Sequence, residues 1–103
     1  MSKPYNKLVR DNIPAIIEAD ERVAVIRVLD DREYAEELIK KLMEEVAEFV
    51  DTPNVEEMAD IQEVLSALRE AMDISKEDLE TTRKTKATKN GAFKKRIFLE
   101  SVE

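Results

Sequence analysis

From Ala35 to Val50 the apolar residues Ala35, Leu38, Ile39, Leu42, Val46, Phe49 and Val50 recur at steps of three and four. After a short interruption the same rhythm returns in Val55, Met58, Ile61, Val64, Leu65, Leu68 and Met72. This is the period of a helix with one apolar stripe. The interruption, Asp51-Thr52-Pro53-Asn54, is built to end one helix and begin another. Proline disfavours α geometry in the residue before it, and Asn54 can cap a new helix with Glu57 at the capping-box position. So short a connection leaves two helices, to about Val50 and from about Asn54 to Asp73, no arrangement but an antiparallel hairpin.

The flanks are read from the same signals. In the opening segment, Asp11 can cap a short helix running to about Asp20, with Pro14 in its first turn. The β-branched run Val23 to Leu29 predicts a strand, ended by Asp30-Asp31, which also cap the long helix. Ser75 starts a further helix towards Lys89, with few apolar residues beyond Leu79, so its second half should face solvent or a ligand. Gly91, the only glycine, stops it. Phe93, Lys95, Ile97 and Leu99 fall on one face of an extended segment that would pair with Val23 to Leu29. The expected fold is mainly α, an antiparallel helical bundle with a short β-pair, in one domain over residues 1–103. A chain of 103 residues buries only roughly 60–70% of its unfolded surface, so homodimer or homotetramer formation is expected to cover its apolar stripes.

Composition narrows the chemistry. Cysteine and histidine are both absent, which excludes disulfides, thiolate or imidazole zinc sites, and nucleophiles activated by histidine. Carboxylate-bound Mg²⁺ or Mn²⁺ is then the leading option. Seventeen Lys and Arg against 24 Asp and Glu give a net charge of −7, which disfavours a nucleic-acid polymer as partner. The charge is unevenly spread: Asp30 to Asp60 holds twelve acidic and three basic residues, Arg83 to Arg96 seven basic and none acidic. Met1 to Arg10 is polar, and no run of apolar residues is long enough to span a bilayer. A cytoplasmic protein with no membrane partner is expected.

Projected on ideal helices, Glu45 borders the first apolar arc, with Glu48 one step further and Glu44 nearly opposite. Glu57 falls inside the second arc, and Asp60 lies just beyond Val64. A buried carboxylate needs a proton, a basic partner or a metal. Glu45/Glu48 and Glu57/Asp60 each have i, i+3 spacing, so each pair shares one side of its helix. Facing each other across a hairpin, with no matching Lys or Arg evident nearby, they would form a hard oxygen cage suited to Mg²⁺. Read separately, the same acids are solvated helix faces, with Glu57 only an N-cap partner.

Glu44-Glu45-Val46-Ala47-Glu48 and Glu57-Met58-Ala59-Asp60 resemble the E-E-x-x-E and E-x-x-D motifs of the MazG-like all-α nucleoside triphosphate pyrophosphohydrolases. Lys7-Leu8-Val9-Arg10-Asp11-Asn12-Ile13-Pro14 resembles the K-L-V-R-D-x-I-P opening of one branch, including phosphoribosyl-ATP pyrophosphohydrolase-like proteins, and Gly91 to Leu99 resembles its ending. The resemblance implies Mg²⁺ ligation by Glu45, Glu48, Glu57 and Asp60, with Glu44 beside them for water activation and Glu45 shared between the metal and catalytic sets. It implies attack of water on the α-phosphorus of a nucleoside triphosphate, with pyrophosphate leaving. Lys86, Lys89, Lys95, Arg96, Lys7 and Arg10 are the candidate phosphate contacts. Two departures stand out. Only eight residues separate Glu48 from Glu57, a shorter connection than is usual in MazG enzymes, and Asn90 stands where an arginine often precedes the closing glycine. The alternatives are a noncatalytic helical nucleotide sensor or interaction module, and an enzyme acting on phosphoribosyl-ATP.

Overall fold

The computed structural model of the chain describes residues 5–103, and the first four residues of the polar opening segment lie outside that range. Among the described residues there are four helices, α1 (Ile13–Ala19), α2 (Asp31–Asp51), α3 (Val55–Ala71) and α4 (Lys76–Asn90), and no strand. The chain divides into a unit ending at Met72 and a second unit, Asp73–Glu103.

Within the first unit, α2 and α3 make the principal packing. Asp30 caps α2 by accepting the Glu33 N–H at 2.8 Å, and Asn54 caps α3 by accepting the Glu57 N–H at 2.8 Å. Both caps sit where the sequence puts them, and each satisfies an amide that the first turn would otherwise leave unpaired. Leu38 of α2 clusters with Val64 and Leu68 of α3, while further along α2 Glu45 meets Glu57 and Asp60 of α3. Partners on α3 step backwards as α2 advances, as in the expected antiparallel hairpin. Leu38, at 3% exposure, Val64 and Leu68 are the buried apolar residues among those described, with Leu8, Tyr34, Leu42 and Ala67 packed against them.

α1 starts one residue later than its expected cap. Asn12, not Asp11, is the N-cap, and its side chain makes no capping bond, although Pro14 does lie in the first turn. A helix of 7 residues with neither a capped start nor a buried face has little to hold it beyond its own backbone bonds.

The expected β-pair is not formed. Val23 to Leu29 is not a strand, and Val25 is 93% exposed. β-branched residues favour extended backbone, but a strand exists only through a partner ladder, and a lone two-stranded pair is marginal in water. In the second unit the Phe93–Leu99 stretch is broken by a turn. The Arg96 N–H donates to the Phe93 carbonyl at 3.3 Å and Arg96 adopts φ 57°, so Phe93 and Ile97 cannot share one extended face. Ahead of that turn, α4 is capped by Ser75 through the Asp78 N–H at 3.0 Å. It ends at Gly91, whose φ of 87° lies where a side chain would be strained. No residue of α4 is buried, in keeping with its sparse apolar content.

Candidate metal centre

The α2–α3 register brings three carboxylates together. Glu45, Glu57 and Asp60 each offer an oxygen, and these oxygens lie within 4.8 Å of one another, close enough to share a metal ion. Glu45 is the buried charged residue of the seam, at 7% exposure, and Glu57 and Asp60 are half-buried. Glu45 borders the apolar arc in projection, and the close approach of α3 covers it. Glu57 falls within its own arc, so its side chain turns towards α2. Its backbone N–H serves the Asn54 cap, but its Oε2 is enclosed without a hydrogen-bond partner, and so is Oε2 of Glu45.

Two enclosed, partnerless carboxylate oxygens are expensive, and their protonation equilibria respond. Burial pushes the Glu45 carboxyl above the ordinary range. A proton-sharing contact with Glu48, the Glu48 charge and Asp60 push the same way, against Lys41. Burial likewise raises Glu57, followed by the charges of Glu48 and Asp60. Glu48 itself is exposed and stands outside the three-oxygen group, but its carboxylate acts on both neighbours. The donor set is all oxygen and anionic, the type a hard divalent cation takes. Such an ion would satisfy both orphaned oxygens at once.

Cations lie closer than the projection alone indicates. Lys41 reaches Glu45 Oε1 and Glu44 Oε2, each at 3.6 Å. Its i+3 and i+4 spacing to those residues is the signal that marks it in the sequence. From the opening segment, the Lys7 Nζ donates to Glu44 Oε1 at 3.2 Å, and the Arg10 Nη2 donates to Asp60 Oδ1 at 2.6 Å. Glu44 is therefore held between two ammonium groups. Burial alone would raise its carboxyl, but the Lys7 hydrogen bond and the charges of Lys41 and Lys7 outweigh it and leave the group below the ordinary range. Of the other candidate phosphate contacts, Lys86 and Lys89 are exposed on α4, and Lys95 and Arg96 are exposed at the turn after Gly91, all in the second unit.

Comparison with known proteins adds one partial relative. No family model matches the chain. A protein of Mycolicibacterium smegmatis, described only as uncharacterized, is 57% identical over 42 residues, which is 41% of this chain and 43% of that protein. The chain thus matches less than half the length of this relative. No solved structure matches. No helix among the described residues is long and apolar enough to cross a membrane.

The elevated carboxyls set a pH dependence. The folded chain holds the protons of Glu45 and Glu57 more tightly than the unfolded chain does. These groups therefore contribute stability at acid pH and withdraw it as pH rises through their raised values. A divalent ion held by these carboxylates would bind their ionised form and reverse the loss. Thermal melts with millimolar Mg²⁺ or Mn²⁺ are expected to show little metal-induced rise in Tm at pH 5 and a clear rise at pH 8. An equal rise at both would assign the stabilisation to other groups.

Proposed function

We propose that this chain is a Mg²⁺-dependent nucleoside triphosphate pyrophosphohydrolase, with Mn²⁺ able to replace Mg²⁺. The reading is carried by the convergence of Glu45, Glu57 and Asp60 oxygens within 4.8 Å, two of these residues each holding an enclosed oxygen with no partner. The motif resemblance supplies the reaction. Glu45, Glu57 and Asp60 would hold the ion, with Glu48 as the fourth carboxylate. When bound, it would neutralise phosphate charge and acidify a water.

The chain's own residues account for the rest. Water oxygen bonds to the α-phosphorus as the bond to the bridging oxygen breaks, nucleoside monophosphate and pyrophosphate result, and a carboxylate takes the proton. Glu44, held low by its cationic neighbours, is a poor proton acceptor. Its part is to fix Lys7 and Lys41, and the proton would pass to Glu45, which keeps an oxygen without a hydrogen-bond partner at the group. Lys7 stands at Glu44 and Arg10 at Asp60, where their charge favours an arriving polyphosphate.

The test is product analysis with Mg²⁺ over a panel of canonical, deoxy and damaged triphosphates together with phosphoribosyl-ATP. Equimolar monophosphate and pyrophosphate are expected from at least one substrate. Release of orthophosphate alone, or no release across the panel, would remove the proposal.

Self-association belongs to the same reading. Ile39, Met43, Val46 and Val50 of α2 and Val55, Met58, Leu65 and Met72 at or beside α3 are exposed, more apolar surface than a hairpin of this size ordinarily leaves in water. A cytoplasmic homodimer or homotetramer is proposed, and sedimentation velocity is expected to give at least twice the 11.9 kDa chain mass.

A further inference from the structure

We propose that Arg10 is a positioning residue for the metal centre, holding Asp60 through one oxygen while leaving the other for the ion. The inference rests on the carboxylate group being a metal site, but concerns a residue outside it. Arg10 comes from the opening segment, fifty positions from Asp60 in sequence, and its Nη2 donates to Oδ1 at 2.6 Å. Leu8, two residues earlier, packs against the core cluster, and Lys7 is tied to Glu44. The segment is thereby attached to both helices: Lys7 on α2, Arg10 on α3, Leu8 between them. A guanidinium held in this way restricts rotation of the Asp60 carboxylate, as outer-shell donors do for metal-binding carboxylates.

Charge complementarity favours cooperation with an ion over competition. With Lys7 set against Glu44, Lys41 stands beside Glu45 and Arg10 beside Asp60, which leaves two uncompensated negative charges when Glu45, Glu48, Glu57 and Asp60 are all ionised, the charge of one divalent cation. The unpartnered oxygens are those of Glu45 and Glu57, whereas Asp60 is the member already gripped. Glu45 is more than nine-tenths buried and belongs to the group, and its enclosed Oε2 has no donor on it. An ion completes what Arg10 has prepared. Because the pair joins an exposed Arg10 side chain to a half-buried Asp60 still open to water, its direct contribution to folding is small, and Arg10→Gln should fold.

The experiment is Mn²⁺ titration of the full chain, by loss of the free-ion EPR signal, for the wild-type chain, Arg10→Gln, Arg10→Lys, Asp60→Asn and the Arg10→Gln/Asp60→Asn pair. Circular dichroism of each metal-free variant checks the fold. Arg10→Gln should weaken Mn²⁺ binding about 10- to 100-fold, and Arg10→Lys, which keeps the charge without the fork, should recover part of the loss. With Asp60→Asn already present, Arg10→Gln should add almost nothing, because its effect passes through that carboxylate. Unchanged or tighter binding in Arg10→Gln overturns the inference and leaves the metal site standing, with Arg10 a bystander or a competitor. Equal loss in both backgrounds overturns it by showing a field effect of the charge alone. A wild-type chain that takes up no Mn²⁺ removes the metal site itself, and the role of Arg10 with it.

Discussion

Glu45→Gln is expected to separate stability from activity, losing Mg²⁺-dependent pyrophosphate release while the metal-free chain becomes more resistant to denaturation at pH 8. The substitution keeps the shape of a side chain that is 7% exposed and removes a charge that burial, Glu48 and Asp60 all oppose. Without metal, that charge is a liability. With metal, it would be a ligand, so its loss should exceed the roughly 10- to 100-fold typical of outer-shell partners. Denaturant midpoints with chelator present and Mn²⁺ titration on the same preparation check both halves. A variant that is less stable and still binds metal would show Glu45 to be held by contacts other than those described. Such opposition is expected of functional groups, whose local arrangement is suboptimal until the ligand arrives.

Leu38→Ala is expected to destabilise the first unit by about 2–5 kcal/mol, a large share of the roughly 5–15 kcal/mol that holds a small domain together. Leu38 is the most buried of the three apolar residues at the α2–α3 seam and touches the cluster from the α2 side. With so few buried neighbours, little can collapse into the vacated volume. Urea denaturation followed by circular dichroism measures the change. A loss below about 1 kcal/mol would mean that the seam is not what holds the hairpin, since cavity formation at a buried leucine exceeds that figure.

The hairpin was legible because its information is local and repeated. Apolar spacing, the Asp30 and Asn54 caps and the Pro53 break are all short-range signals, and each has its predicted counterpart. The same held for Ser75 and Gly91 at the ends of α4. The β-pair failed because extended propensity says nothing of a partner, and the turn that brings Arg96 to φ 57° has no Gly or Asn to announce it. For the site, helix projection set Glu45 and Glu57 apart from the surface acids, and the register brought them to Asp60. Projection treats each helix alone, however, and an exposed Glu48 is not distinguishable there from one turned inward. The placement of Arg10 against Asp60 joins residues fifty apart. No periodicity encodes such a contact, and charge complementarity alone offered several candidates.

The three residues between α2 and α3, Thr52 to Asn54, also act as a gauge for chemistry one to two turns away. A link of this length has little slack, so deleting a single amino acid here would draw Glu57 and Asp60 out of step with Glu45 unless the first turn of α3 unwound. Shortening this corner is consequently felt at the carboxylates, whereas an added residue can be taken up by the exposed link. In a related hairpin with a longer link, the phase of the second carboxylate pair is left to the packing of its own helix.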